Sequence, residues 1–238
     1  MSRFRPGLWP TLLTLPALAI LLALGVWQLQ RLEWKETLIA RTETQLSQAP
    51  VALPEDFSGA EGLSYTPVVL EGRYLHEREL FWGSRVREGQ VGLHLVTPFE
   101  LSDGRQVLVD RGWLPKDRRD SATREAGRPE GDLRIEGVIR VGGWSGFPGF
   151  APANDAEGNL WLWPDLPAMA EAAGLERPVT EVYVDAAAGQ HAGEYPIGGQ
   201  TRIVFKNDHL SYAITWFGLA AGLAAVYLVY GLRRGRGA

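Results

Sequence analysis

The chain has 238 residues and no cysteine, which excludes disulfides, thiolate metal sites, thiol nucleophiles and covalently attached c-type haem. It carries 28 acidic and 24 basic residues, and all the acidic ones lie between residues 31 and 208. The first and last thirty residues are apolar and hold five arginines as their only formally charged side chains. This distribution lacks the basic face typical of nucleic-acid-binding proteins, so no nucleic-acid partner is expected.

The first apolar stretch, residues 8–30, contains no charged side chain and is long enough to cross a hydrocarbon core of roughly 30 Å. Arg3 and Arg5 precede it, and the small-x-small pattern from Ala17 to Ala19 would also fit a cleaved signal peptide. The apolar run continues well beyond Ala19, however. This length favours an uncleaved transmembrane helix.

The second apolar stretch, residues 209–232, is also of spanning length and is followed by Arg233, Arg234 and Arg236. Because arginines flank the outer ends of both stretches, both termini are expected in the cytoplasm, although basic residues of the 31–41 segment reduce this asymmetry. Few residues precede the first stretch, so no transit peptide is expected. The sequence predicts a multi-pass protein of the bacterial inner membrane whose central domain, residues 31–208, is periplasmic.

Between the two stretches, the sequence predicts a helical segment that continues to Pro50 and then a series of short strands. The strands are predicted at residues 65–75, 78–86, 91–101, 105–114, 133–141, 159–164, 180–187 and 201–207. Residues 165–176 are predicted to be a helix capped by Asp165, and residues 142–158 a loop rich in Gly and Pro. The predicted class is a membrane α+β protein, in which two transmembrane helices flank a mostly antiparallel sheet or small barrel with one or two helices.

No catalytic or metal-binding motif stands out in the predicted domain, which contains no H-E-x-x-H, G-x-S-x-G, P-loop or Rossmann sequence. His76 lies beside a turn and is expected to be solvated, His94 is expected to be a structural histidine of a strand, and His191 carries no pattern. A serine hydrolase is not excluded by sequence, because its groups meet only in the fold. No pattern favours one, and no enzyme activity is expected.

Asp110 and Arg111 are adjacent in the segment VDRGWLP, residues 109–115. In a strand they point to opposite faces, so each is expected to meet a partner on a neighbouring strand. This structural interpretation, with Trp113 as an anchor, is favoured over a ligand site. In the alternative, Arg111 holds a carboxylate such as a porphyrin propionate.

His209 stands at the start of the second apolar stretch. In a helix it shares one stripe with Ala213, Trp216 and Ala220, and Tyr212 lies at the margin of that stripe. The stripe presents an imidazole beside small residues and a large aromatic plane, and neutral imidazole is a usual axial ligand of haem iron. From the residues alone, a polar side chain that simply marks the interface end of the helix is the favoured alternative.

Gly218 and Gly222 form a G-x-x-x-G motif on roughly the opposite side of the same helix. Such motifs allow two membrane helices to pack closely. The glycine side is therefore expected to pack on another helix, with the first span as the candidate, and the His209 stripe is expected to stay open as a groove.

Four segments carry a family resemblance. They are LGVWQLQRLEWKETLI after the first span, YTPVVLEGRY, GLHLVTPFELSDGRQVLVDRGWLP, and NDHLSYAITWFGLA at the entry to the second span. In this order, and with two spans, they resemble the surfeit locus protein one (Shy) family of cytochrome c oxidase assembly factors. The resemblance extends over nearly the whole chain and is poorest at residues 151–200.

The resemblance implies an assembly factor or haem carrier rather than an enzyme, with the oxidase core subunit, haem a synthase and the lipid bilayer as partners. It also implies that His209 ligates the iron of transiently bound haem a, beside Trp216 and Tyr212. Asp208 would either accept the other imidazole N–H or favour the protonated imidazole, which does not ligate iron. The alternative function is a membrane scaffold that holds oxidase subunits together without carrying haem.

Overall fold

The computed structural model of the chain describes residues 4–190, 193–201 and 207–236. The chain divides into two compact units, one formed by Met1–Thr42 with Ile203–Ala238 and the other by Glu43–Arg202. We call them the helical unit and the sheet domain. His191 and most of the strand predicted at residues 201–207 lie outside the described residues.

The helical unit contains two long helices, α1 (Leu8–Leu46) and α3 (His209–Arg236). Both are long and apolar enough to cross a membrane, with a mean hydropathy of 2.1 and 1.7 over their most apolar windows. Two such helices at the ends of the chain suggest a membrane protein. α1 continues beyond the predicted span and ends shortly before Pro50, as its helical spacing predicts.

The two helices meet through the side of α3 that carries His209. Its imidazole is hydrogen-bonded to α1, and two turns further on Phe217 lies against Gly25, where a Cβ would come within 2.7 Å of the phenyl ring. Ala213 and Ala220 lie on the same side of α3 and are only 1% and 3% exposed. The small residues of this stripe therefore form the packing face of α3.

The G-x-x-x-G motif does not take part in this packing. Gly218 and Gly222 are exposed, and a Cβ placed on either would meet no atom of another segment within 4 Å. The expectation that the glycine side packs on the first span is therefore wrong. The physical reason is that the polar side chains of His209 and Gln28 need partners inside the helix pair, which turns the opposite side of α3 outward.

The described part of the sheet domain contains seven strands. They are β1 (Val51–Ala52), β2 (Pro67–Tyr74), β3 (Leu80–Arg87), β4 (Gln90–Leu101), β5 (Gln106–Pro115), β6 (Leu133–Val141) and β7 (Val182–Ala186). Their order is β1–β2–β6–β7–β5–β4–β3. The β1–β2 and β5–β7 pairs are parallel and the other pairs are antiparallel, so the sheet is mixed.

An additional pairing joins β2 to β4, so the pairings of β2, β6, β7, β5 and β4 run in a closed circuit. Gly72 makes this contact possible. It lies opposite Leu101, its φ is +153°, and a Cβ at this position would overlap the backbone carbonyl of Glu100.

β5 is buried along its whole length, and apolar clusters cover both faces of its first half. Val107 and Val109 belong to one buried apolar cluster, whereas Leu108 belongs to a second cluster that includes Trp161. This alternation follows from the two-residue period of a strand. Asp110 and Arg111, which are consecutive, therefore lie on opposite faces of β5 and have different neighbours.

The remaining sequence predictions have mixed outcomes. The short helix α2 (Leu166–Ala172) begins where expected, and the Asp165 side chain accepts a hydrogen bond from the backbone N–H of Ala168 at 3.4 Å.

The strand predicted at residues 159–164 is wrong, since this segment forms only isolated bridges such as Trp161 with Trp82. Its alternating pattern reflects burial of Trp161 in the second cluster, while the positive φ of Asn159, +49°, breaks the extended conformation. Strand β1 was not predicted, because two exposed residues carry no alternation signal.

Candidate functional site

His209 is held by a side chain of the first helix. Its Nδ1 lies 2.7 Å from Oε1 of Gln28, which is 8% exposed. A carboxamide oxygen can only accept a hydrogen bond, so Nδ1 is the donor. In the neutral imidazole this arrangement leaves the lone pair on Nε2, the form in which histidine binds a metal.

The two aromatic residues predicted beside His209 lie in different surroundings. Trp216 is half-buried on the His209 stripe, and its indole N–H is buried without a hydrogen-bond acceptor in the described part of the chain. Tyr212 is 55% exposed at the margin of the stripe. The structure thus brings Trp216 to the face that packs on α1 and leaves Tyr212 outside it. The binding roles of all three residues stay predictions.

The predicted open groove along the stripe is wrong, because Ala213 and Ala220 are buried in the contact between the helices. The exposed surface next to the half-buried imidazole is instead the margin that carries Tyr212. The donor chemistry of the site fits one axial imidazole for a haem iron. It does not fit a closed metal site, since no group of three or more His, Asp or Glu side chains within the described ranges has metal-binding geometry.

A second polar cluster is buried in the sheet domain around Glu79. Its carboxylate accepts hydrogen bonds from Arg124 at 2.5 and 3.1 Å, and it lies 3.5 Å from His76 Nδ1 and 3.9 Å from Arg111. Burial by itself raises the pKa of Glu79. The nearby His76 imidazole, the hydrogen bonds from Arg124 and the charges of the two arginines outweigh burial and lower this pKa to about 2. The prediction that His76 is solvated is therefore wrong, since its side chain is 9% exposed.

Arg111 is a structural residue, as the strand interpretation predicts. Its guanidinium donates a hydrogen bond to the backbone carbonyl of Gly127 and lies 4.5 Å from the centre of the Tyr74 ring. The side chain is only 2% exposed. Because the Arg111 guanidinium is buried against protein groups, it leaves no space for a porphyrin propionate, and this alternative is wrong.

Asp110 points to the opposite side, where it forms a pair with His94. His94 Nδ1 lies 2.7 Å from Oδ2 of Asp110, and the backbone N–H of Gly112 donates to Oδ1 at 2.9 Å. His94 is thus a satisfied histidine of a strand, as predicted. Next to Asp110 in the parallel β5–β7 register stands Asp185, so two carboxylates are adjacent at this position of the sheet.

Two terminal apolar helices that flank a mixed sheet domain suggest a membrane protein. The SURF1 family model matches residues 15–221, so the chain belongs to the SURF1 family. Membership implies a role in cytochrome oxidase assembly and suggests a non-catalytic protein, in agreement with the sequence resemblance.

Relatives from several eukaryotes support this membership. The SURF1-like protein of Monosiga brevicollis is 37% identical over 93% of this chain and 87% of its own length. The SURF1-like protein of Drosophila melanogaster is 37% identical over 91% of this chain and 75% of its own length. The Surfeit locus protein 1 of Mus musculus is 36% identical over 94% of this chain and 75% of its own length.

Gln28 is the residue of this site that sequence reasoning missed. A signal for it was present, because a carboxamide in an otherwise apolar stretch needs a hydrogen-bonding partner within the membrane. The sequence did not show that this partner is His209. The partner depends on which side of α3 faces α1, and the glycine motif pointed to the wrong side.

Proposed function

We propose that the chain is an assembly factor for haem-copper cytochrome c oxidase that binds haem a through His209 and assists its insertion into the catalytic subunit. The observation that carries this proposal is the hydrogen bond from His209 Nδ1 to Gln28, which leaves Nε2 as the metal-binding atom. A histidine whose ring orientation is fixed by a second side chain is the arrangement found around metal-ligating histidines in general. Family membership supports the assembly part of the proposal.

Each residue of the site has a separate task in this proposal. Gln28 fixes the tautomer and the ring plane, and His209 supplies the axial nitrogen. Tyr212 offers exposed aromatic surface near the imidazole, and Trp216 lies half-buried on the same stripe of the helix. When bound, haem a would supply only its iron as the acceptor of the Nε2 lone pair, and a single protein ligand suits a carrier because a haem held by two strong ligands leaves slowly.

The proposed location is the bacterial inner membrane, with both termini in the cytoplasm and the sheet domain in the periplasm. The arginines at the outer ends of both apolar helices support this topology. The relatives named above are eukaryotic, so the compartment rests on the sequence alone. The closed circuit of strand pairs supports the prediction of a small barrel for the sheet domain.

The proposed partners are the oxidase core subunit, which receives the haem, haem a synthase, which supplies it, and the lipid bilayer. To test haem binding, the protein is purified from cells that make haem a, and the haem content is measured from its optical spectrum. His209→Ala should lose most of the haem. Ser211→Ala, an exposed neighbour on the same helix, should retain it.

Unchanged haem content in His209→Ala would overturn the carrier proposal and leave the scaffold alternative. The scaffold is tested separately in a deletion strain. If the oxidase that forms has its normal haem content but its subunits associate slowly, the protein holds subunits together rather than delivering haem.

A further inference from the structure

We propose that a cavity in the sheet domain binds a small organic anion, a carboxylate with a flat apolar body, and that Arg85 is its charge anchor. The inference is independent of the role of His209. It concerns residues that are assigned neither to haem nor to the membrane.

The cavity has a volume of about 380 Å³ and is lined by side chains from β3, β4, β5, β6 and β7. This size is within the range of small-molecule sites. Its walls include the aromatic side chains of Trp82, Trp113 and Tyr183, of which Trp82 and Tyr183 meet edge to face with ring centres 5.4 Å apart. Aromatic walls of this kind favour a flat apolar ligand body.

Two carboxylates line the cavity, and both have hydrogen-bonding partners within the protein. Asp110 is paired with His94. Asp185 accepts hydrogen bonds from Arg140 at 3.1 Å and from the Thr201 hydroxyl at 2.9 Å. The oxygens of both carboxylates are therefore already engaged by donors of the protein.

Burying these paired polar side chains lowers the stability that the fold could otherwise have. Buried ion pairs are often no more stable than apolar residues in the same space, and here two acidic side chains face each other on neighbouring strands. Buried charged groups that line a cleft are typical of binding sites. In such sites a small number of fixed polar groups orients the ligand.

Arg85 is a cationic side chain of the cavity that has no carboxylate partner among the described residues. It is half-buried in the cavity wall, with its guanidinium 4.7 Å from the centre of the Trp82 ring. Among the residues that the structure describes, no carboxylate lies within 4.0 Å of it. Its backbone is fixed as well, since the Trp113 indole N–H donates to the Arg85 carbonyl at 3.2 Å.

A guanidinium stacked on an indole keeps its N–H groups free at its edge, and these groups match the two oxygens of a carboxylate. The ligand chemistry is therefore anionic. A metal ion is not favoured, because no metal-binding group of three or more His, Asp or Glu side chains occurs in the described part of the chain.

The test uses the full chain in lipid nanodiscs and two probes of nearly equal shape, 4-fluorobenzoate and its neutral amide 4-fluorobenzamide. Binding is measured from the broadening of the fluorine NMR signal, with empty nanodiscs as the background. The acid should bind and the amide should bind at least several-fold more weakly. In Arg85→Gln the affinity for the acid should fall roughly tenfold, which is the typical effect of one charge-assisted hydrogen-bonding group.

Arg87→Gln is the matched control, since Arg87 lies on the same strand but is paired with Glu88 and does not line the cavity. Arg87→Gln and His209→Ala should both bind the acid like the parent chain, which separates this inference from the haem proposal. Equal binding of acid and amide, or equal loss in both arginine variants, would overturn it. If Arg85→Gln fails to fold, the comparison of the two probes on the parent chain still decides the question.

Discussion

Nδ1 of His209 donates a hydrogen bond of 2.7 Å to the carboxamide oxygen of Gln28 and thereby connects the first turn of α3 to the middle of α1. Among the described residues this contact determines the ring orientation of the imidazole. Residues that orient a metal-ligating histidine typically contribute a factor of about 10 to 100 in metal affinity.

Replacement of Gln28 should therefore weaken haem retention without removing the ligand itself. Gln28→Leu should lose haem about tenfold faster than the parent chain, because the imidazole is no longer held, whereas Gln28→Glu keeps an acceptor and should be closer to the parent. Haem loss is measured as transfer to an excess of an apo-haem protein. Gln30→Leu is the matched control, since Gln30 is exposed on the same helix. Equal haem loss in the two leucine variants would argue against the positioning role of Gln28.

The packing side of α3 can be tested with glycine substitutions. Gly25→Leu should destabilise the helical unit, because even a Cβ at this position would come within 2.7 Å of the Phe217 ring. Overpacking of this kind usually costs about 1–3 kcal/mol. Gly222→Leu should have little effect, since nothing lies within 4 Å of its Cβ position. The measurement is the thermal unfolding midpoint in detergent, and the reverse order of the two variants would restore the glycine motif as the packing face.

The Glu79 cluster should make the sheet domain sensitive to acid. The folded pKa of Glu79, about 2, is below its ordinary value, so its contribution to stability is present above about pH 4.5 and is lost as the pH falls toward 2. Glu79→Gln should lose the stability at neutral pH, because Arg124 and Arg111 remain buried without a counter-charge, at a cost of roughly 3–5 kcal/mol. Unfolding midpoints between pH 2 and 7 test this expectation. An acid-induced drop of the same size in parent and variant would contradict it.

Asp185 should give a pH dependence of the opposite sign. Burial and the neighbouring charge of Asp110 raise its pKa to about 6, against the pull of Arg140 and the Thr201 hydroxyl. The folded state therefore binds a proton more tightly than the unfolded state, and stability falls as the pH rises from about 4 to 6. Asp185→Asn keeps an acceptor for Thr201 and should remove this fall. Glu181→Gln, an exposed acidic residue next to the same strand, is the control and should leave it unchanged.

Local sequence pattern was sufficient for most elements of the fold. The two apolar helices and strands β2 to β7 all follow from hydrophobic periodicity and turn residues. The opposite orientation of Asp110 and Arg111 also follows from the strand period. These features depend only on residues close together in the chain.

The features that were missed depend on contacts between distant residues. The β2–β4 pairing and the parallel β5–β7 pairing join segments far apart in sequence, and no local pattern encodes them. The burial of His76 follows from the approach of Arg124, and the partner of His209 follows from the orientation of one helix against another. In both cases a polar side chain was assigned to solvent or to a ligand because its protein partner was not visible in the sequence.

The position of β7 has a consequence for synthesis of the protein. Of the strands in the described part of the chain, the last to emerge from the ribosome is β7, and it is inserted between two strands that are made earlier, β5 and β6. Until residue 186 has been translated, each of those neighbours has a row of unsatisfied backbone groups, which is a surface prone to aggregation. A nascent chain interrupted before this point would therefore be a substrate for proteolysis, and completion of the sheet is coupled to arrival of the second apolar helix that follows it.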